Sequence, residues 1–169
     1  AAEVRVIVHT ARPGLVIGRS GENATKLRTE LTAVVRKACP THGRTVKMDI
    51  VEIRQPETSA AIVAFMVAEG LEKRMTFRRV LKMTVEKVMS VREVVGVRIV
   101  ISGRLGGADM SRTEQIKKGR IPLQTFRANI DYAQERAYLP YGVIGIKVWI
   151  YLGETFAEDA NATRNAANK

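Results

Sequence analysis

The sequence predicts an α+β protein with two folded units, and three observations lead to this fold class. Residues 4–53 show an apolar pattern of strand, helix, helix and strand. Residues 60–94 hold two segments with the helical period of about 3.6. After residue 96 the period changes to two, which is typical of half-buried strands in a mainly antiparallel sheet. A chain of 169 residues is long enough for two small domains.

The first unit is predicted to contain two strands and one long helix. Alternating valines and Ile7 predict a largely buried strand over residues 4–9, which ends before Pro13-Gly14. A short apolar turn, residues 15–17, precedes the helix, and Pro40 ends that helix. The predicted apolar face of the helix consists of Ala24, Leu27, Leu31, Val34 and Ala38. After a turn at His42-Gly43, a second strand runs from Val46 to about Ile53.

The second unit is predicted to contain two helices followed by a sheet. Residues 60–73 are apolar almost all round, which indicates a buried helix. Thr76 is a candidate cap for a second helix that ends near Val94. The apolar face of that helix consists of Phe77, Val80, Leu81, Thr84 and Val88. Alternating patterns predict strands at 97–103, 126–132 and 146–152, and a fourth, short and basic, at 112–121.

The charge balance indicates an anionic partner. Lys and Arg total 28 against 17 Asp and Glu, which gives a net charge of +11. Nucleic acid is the usual partner of such a surface, although charge alone also permits an anionic membrane surface. No apolar run has the length of about 18 residues that a membrane span needs, and no signal peptide is expected. The single cysteine, Cys39, excludes an intramolecular disulfide and fits a reducing compartment.

A GxxG loop makes the nucleic-acid prediction specific. Gly18-Arg19-Ser20-Gly21 lies between two helical segments inside the strand–helix–helix–strand unit, which is the arrangement of a KH domain. Two glycines let the backbone approach a nucleic-acid backbone closely, and the following helix N-terminus offers N–H groups to phosphate. Arg19 adds a cation. An isolated GxxG is more often a tight turn between helices, so the prediction depends on the flanking elements.

Three separated blocks resemble the bacterial-type ribosomal protein S3 family of the small subunit. They are residues 8–22, residues 103–114 and residues 141–150, in the order of the family. The resemblance implies a type II KH domain over 1–54, an S3-type domain of two helices on a mainly antiparallel sheet over 55–154, and a disordered tail over 155–169. Members of the family carry further residues before the KH core, so we expect an N-terminally shortened chain. From the pattern alone the domain boundary falls near Gln55-Pro56 or, as the alternative, near Arg74.

The resemblance also implies the function. A member of this family is a structural constituent of the small ribosomal subunit that binds 16S-type rRNA in the subunit head, with ribosomal proteins S10 and S14 as neighbours. It lines the mRNA entry tunnel and assists mRNA unwinding. The matching segment here is Phe77-Arg78-Arg79 with Lys82, whose three cations share one solvent face of the predicted helix. A cytoplasmic ribosome is expected, and an organellar ribosome is the alternative.

Further cations are predicted to contact rRNA phosphates. They cluster around a glycine-rich turn at residues 103–107 and are Arg104, Arg112, Lys117, Lys118, Arg120 and Arg127. A solvated basic surface is the alternative. Trp149 and Tyr151 are predicted to point away from the Ile146/Val148 face, where they could stack on a base, pack on the helices or meet a protein.

The remaining patterns do not indicate an enzyme or a cofactor. Cys39 and His42 have a C-x-x-H spacing, but a second pair for zinc is missing. The glycine-rich turn lacks the Gly-Lys-Ser/Thr ending of a P-loop, and the carboxylates are too scattered for a metal-dependent nuclease. We therefore expect no catalytic residues, metal or cofactor. A free KH-type regulator remains an alternative on physical grounds, and the two C-terminal blocks argue against it.

Overall fold

A computed structural model describes residues 3–38 and 45–156 of the chain. The chain divides into two compact units, with the division between Gln55 and Pro56. The turn predicted at His42-Gly43, the Cys39–His42 pair and residues 157–169 of the predicted tail lie outside the described residues.

The first unit places two helices beside a parallel pair of strands. Its elements are β1 (Glu3–Thr10), α1 (Pro13–Ile17), α2 (Glu22–Ala38) and β2 (Thr45–Glu52). A single 3-10 turn over Arg19–Gly21 separates α1 from α2. The strands pair in parallel with Val4 opposite Val46 and Val8 opposite Ile50. The GxxG loop therefore follows β1 and α1 directly, as the sequence predicts.

The strand β1 is less buried than predicted. Its residues alternate between exposed and half-buried, and none of them is fully buried. The exposed face carries two ion pairs across the strands, Lys47 with Glu3 and Arg5 with Asp49. The prediction of a largely buried strand was wrong, because Ile7, which suggested a second buried face, is 49% exposed. In the described part of this unit Val46 is the one fully buried hydrophobic residue.

The apolar face of α2 also differs from its prediction. Ala24 and Leu31 are half-buried as expected, together with Val35. Leu27 and Val34 are 37% and 62% exposed, and Ala38 is exposed as well. Positions 24, 31 and 35 fall on one narrow stripe of a helix, and beyond this stripe Thr32 is also half-buried.

The second unit packs two helices on an antiparallel sheet, which confirms the predicted α+β class. Its elements are α3 (Ala60–Glu72), α4 (Phe77–Met89), β3 (Gly96–Gly103), β4 (Arg112–Gly119), β5 (Ala128–Leu139) and β6 (Gly142–Glu154). The strand order is β4-β3-β6-β5, and every pairing in it is antiparallel. The helix α4 ends at Met89 rather than near Val94, because a turn over the following residues leads into β3.

The core of this unit lies between the helices and one face of the sheet. On the helix side the buried residues are Ala60, Val63, Ala64, Val67, Leu71, Val80, Leu81, Val85 and Val88. On the sheet side they are Val97, Ile99, Ile101, Ile144, Ile146, Val148 and Ile150. The buried Thr84 donates its hydroxyl to the carbonyl of Val80 at 2.8 Å, so its polar group is satisfied within the helix.

The strand β5 begins later than the sequence predicts, and it has an irregular register with β6 near its start. The register with β6 shifts between Asn129 and Ile130. A β-bulge of this kind reverses the alternation along one strand relative to its partner. Phe126, predicted within the strand, precedes it and is fully exposed. Tyr151, predicted to point away from the Ile146/Val148 face, lies between Ile150 and Leu152, which both pack in the core, so it faces away as predicted, although it is only 6% exposed.

Candidate nucleic-acid interface

The GxxG loop has the backbone shape that two glycines allow. Gly18 and Gly21 have φ angles of 74° and 78°, and Ser20 between them has a φ of 55°. L-amino acids other than Asn and Asp rarely adopt this left-handed region, so three such residues in four make a tight, exposed turn. Arg19 and Ser20 are exposed at its tip, at the start of the 17-residue helix α2. The loop therefore presents a cation, a hydroxyl and a helix N-terminus to solvent.

Asn23 fastens this loop to α1. Its Nδ2 donates to the carbonyl of Leu15 at 3.4 Å, and its side chain lies against Gly18. The backbone N–H of Gly18 donates to the carbonyl of Gly14 at 3.0 Å. Beside the loop, α1 and α2 line an open groove of about 310 Å³, and Lys26 lies along it. The end of α1 and the start of α2 are thus held in place on either side of the exposed tip of the loop.

The three cations predicted on α4 share its exposed side. Arg78, Arg79 and Lys82 are exposed, whereas Val80, Leu81 and Val85 are buried against the sheet. None of the three forms an ion pair with a carboxylate of the described residues. Their charges therefore face solvent and are available to an anion.

Phe77 joins this cationic helix to the basic strand β4. The guanidinium carbon of Arg78 lies 5.6 Å from the centre of the Phe77 ring, and that of Arg112 lies 5.5 Å from it. Both distances are within the range of cation–π contacts. The structure thus brings together Arg78 from the predicted mRNA-entry group and Arg112 from the predicted rRNA-binding group.

The other predicted rRNA-binding residues fall into two sets. Arg104 and Arg127 make internal contacts. Arg104 donates to the carbonyl of Ala108 at 2.8 Å and lies 3.5 Å from Asp109, and Arg127 lies 3.8 Å from Glu154. The second set, Lys117, Lys118 and Arg120, is exposed and has no ion pair within the described parts of the chain.

Arg104 has a structural role that its sequence position did not reveal. It donates a second hydrogen bond, at 3.2 Å, to the carbonyl of Tyr141, in the turn between β5 and β6. Its guanidinium therefore ties the glycine-rich turn after β3 to a distant hairpin. The GxxG loop belongs to the first unit, and α4 belongs to the second.

Sequence reasoning missed Arg98 as a candidate site residue. Its guanidinium carbon lies 5.2 Å from the centre of the Trp149 ring, and its Nη2 donates to Gln115 at 2.8 Å. The alternation of Arg98 with Val97 and Ile99 placed it on the outer face of the sheet. Strand order, which the sequence did not predict, decides that Trp149 is its neighbour.

Metal and membrane features are not found in the described regions. Within residues 3–38 and 45–156, no group of three or more His, Cys, Asp or Glu residues could hold a metal ion. Among the helices of the same regions, none combines the length and the apolar character that crossing a bilayer demands.

Two family models match the chain in the order of its two units. The KH domain model matches residues 1–58, and the model described as ribosomal protein S3, C-terminal domain, matches residues 67–150. Small ribosomal subunit protein uS3 of Caldicellulosiruptor bescii is 45% identical over the whole chain, which covers 73% of that protein. The chain belongs to the ribosomal protein S3 family.

Other relatives in this family are equally similar. The uS3 protein of Ectopseudomonas mendocina is 46% identical over the whole chain, which covers 74% of that protein. The uS3 protein of Pseudomonas paraeruginosa is 49% identical over 91% of the chain and 64% of its own length. The resemblance of the three sequence blocks to the S3 family is thereby confirmed.

Proposed function

We propose that this small-ribosomal-subunit protein binds 16S-type rRNA in the subunit head and borders the path by which mRNA enters the ribosome. Its relatives are named as small ribosomal subunit proteins, and the chain is a constituent of that subunit. The prediction of a ribosomal protein rather than an enzyme agrees with these names. Contacts with ribosomal proteins S10 and S14 remain part of the proposal and are supported by the family resemblance.

The exposed loop at residues 18–21 supports rRNA binding by the first unit. A KH loop clamps about four nucleotides of single strand through its backbone and the following helix N-terminus. Here Arg19 and Ser20 project from a turn whose backbone is held by Asn23. Arg19 has no ion pair in the described structure, so its guanidinium is available to a phosphate that approaches the turn.

The exposed cations of α4 are the observation that carries the mRNA part of the proposal. Arg78, Arg79 and Lys82 project from one helix whose opposite side is anchored in the core. A rigid row of cations can hold the phosphates of one strand beyond a duplex junction. Holding that strand stabilises the unpaired form of the mRNA at the junction. Translocation can then separate base pairs without ATP hydrolysis by this protein.

The energies involved are of comparable size. Opening one base-pair step costs about 1.4 kcal/mol of stacking. One charge-assisted contact contributes about 1.5–3 kcal/mol before screening by salt. Two or three such contacts, weakened by solvent exposure, are therefore sufficient to offset the free energy of opening roughly one base-pair step at the duplex junction.

Translation of a structured message tests this role. We expect replacement of Arg78, Arg79 and Lys82 by Gln to leave folding unchanged, because the buried side of α4 is untouched. Ribosomes with this variant should translate an unstructured message at nearly normal speed and slow at a stable hairpin. The measurement is the elongation time on two templates that differ only in the hairpin.

A matched variant tests whether the effect depends on the position of the lost cations or only on the loss of positive charge. Replacing Arg28, Arg36 and Lys37 by Gln removes three exposed cations from α2 instead. It should not slow passage through the hairpin specifically. Equal slowing of the α4 variant on both templates, or the same hairpin defect in the α2 variant, would contradict the proposed role of α4.

A further inference from the structure

The sheet of the second unit has one face that the two helices leave uncovered. Buried Val97, Ile99 and Ile101 face the helices, so the alternate residues of each strand face the other way. Register extends this open sheet face across all four strands. It consists of Arg98, Val100, Ser102, Thr113, Gln115, Lys117, Tyr132, Gln134, Arg136, Gly145, Lys147 and Trp149.

The open sheet face carries cations and no carboxylate among these twelve residues. Its cations are Arg98, Lys117, Arg136 and Lys147. The carboxylates of the same strand segments lie on the opposite side of the pleat. Glu114 pairs with buried Ile101, Glu135 pairs with buried Ile146, and Asp131 bonds to the first residue of α3. This segregation of charge makes the face complementary to a polyanion.

A row of stacked planar groups crosses the middle of this face. The guanidinium of Arg98 lies over the Trp149 ring at 5.2 Å, and the rings of Tyr132 and Trp149 are also 5.2 Å apart, with a tilt of 39°. Gln115 accepts a hydrogen bond from Arg98 at one end of the row. Tyr132 is 48% exposed and Trp149 is half-buried, so part of this aromatic surface faces solvent.

We propose that the open sheet face binds single-stranded RNA by stacking unpaired bases on Trp149 and Tyr132. Aromatic side chains and Arg planes on an open sheet bind bases in this way, and cations beside them hold the phosphates. Lys147 lies next to Trp149 along β6, and Lys117 lies opposite Arg98 on β4. A single strand exposes the faces of its bases, whereas a duplex hides them. We therefore expect the open sheet face to bind single-stranded RNA more tightly than duplex RNA. An acidic peptide would meet the cations and leave the rings unused.

This surface is distinct from both surfaces of the proposed function. The GxxG loop belongs to the first unit, and α4 covers the opposite face of the same sheet. The inference therefore goes beyond the proposed function and does not depend on it.

Trp149 is the only tryptophan in the chain, so its fluorescence reports this site alone. We expect an unstructured eight-nucleotide RNA to quench the emission of the full chain, and a duplex of the same length to quench it far less. Tyr132→Ala should raise the RNA concentration at half-quenching about 5- to 150-fold, the range expected for loss of one stacked base. An unchanged far-ultraviolet circular dichroism spectrum without RNA shows that the variant is folded.

A control variant separates this site from the KH loop. Replacing Arg19 and Ser20 by Asp should leave the quenching curve of Trp149 unchanged. Loss of quenching in that variant would show that the RNA binds at the loop and not on the sheet. Absence of quenching at saturating RNA, equal quenching by the duplex, or equal quenching by an oligoglutamate peptide would each overturn the proposal, the last in favour of an acidic protein partner.

Discussion

At the scale of single residues, the GxxG loop depends on its two glycines for different reasons. A Cβ on Gly18 would lie 2.7 Å from Nδ2 of Asn23, so the Asn23 side chain would have to move, and the φ of 74° also favours glycine there. A Cβ on Gly21 would meet nothing within 4 Å, and only its φ of 78° favours glycine there. The backbone of the loop is therefore set by these glycines and Asn23, while residues 19 and 20 are free to vary in charge.

Reversing the charge at the tip of the loop tests its role. We expect Arg19→Asp with Ser20→Asp to weaken rRNA crosslinking at the loop several-fold, because a cation–phosphate contact becomes a repulsion. Thermal unfolding should change little, since both side chains are exposed and Asp tolerates the left-handed conformation of residue 20. Ser20→Asn is the neutral control. Crosslinking that persists in the double variant would leave the loop as a turn or as a contact to protein.

At the scale of elements, two carboxylates, one from β5 and one from α3, tie both ends of α3 to β5. Asp131 accepts the backbone N–H of Ala60 at 2.7 Å, at the start of the helix, where Ser59 provides no side-chain cap. At the other end, Glu72 accepts the backbone N–H of Tyr138 at 3.0 Å. Two polar contacts thus fix the position of the helix along the strand, in addition to apolar packing.

Removing the first of these carboxylates should destabilise the second unit. Ala60 is fully buried, so Asp131→Ala leaves its N–H without an acceptor and also removes a negative charge from the helix N-terminus. We expect a loss of about 1.5–3 kcal/mol in the free energy of unfolding. Asp131→Asn should lose less, because its amide oxygen still accepts. Urea unfolding followed by Trp149 emission measures both, and equal losses would mean that charge rather than the hydrogen bond stabilises this end.

The elements themselves were largely predictable from periodicity. Both helices of the second unit and all four of its strands lie where the apolar patterns place them, apart from their ends. Failures occurred where tertiary structure overrides a local pattern. The register of β5 with β6 shifts between Asn129 and Ile130, and Phe126, predicted within the strand, precedes it and is exposed. The alternation along one strand carries no information about a register shift against its partner.

The candidate site was predictable only as separate segments. The GxxG spacing and the row of cations on α4 follow from the sequence, because each lies within one element. The contact of Arg112 with Phe77, 35 residues earlier in the chain, requires the packing of β4 beside α4. The same holds for Arg98 and Trp149, which strand order brings together. Residue spacing does not determine which strands become neighbours.

At the scale of the whole molecule, the net charge of +11 is distributed over surfaces in both units. Seven of the predicted site residues are exposed cations that make no ion pair within the described residues: Arg19, Arg78, Arg79, Lys82, Lys117, Lys118 and Arg120. Cations without internal partners are the ones that release counterions from RNA when they bind phosphate. The dependence of binding on salt therefore reports how many of them face RNA.

Binding of the chain to rRNA should weaken steeply as salt is added. Each neutralised phosphate contributes a slope of about −0.9 for duplex-like sites or −0.7 for single strands in a plot of log affinity against log salt. If all seven cations engage phosphates, the slope should be about −5 to −6. Arg19→Gln should make the slope shallower by slightly less than about one. Glu57→Gln, a charge change in a half-buried turn of the second unit, should leave the slope unchanged. Filter binding at four or more salt concentrations measures these slopes. A slope near zero would mean that the positive charge does not face RNA, and the rRNA contacts would then have to be backbone hydrogen bonds and stacking.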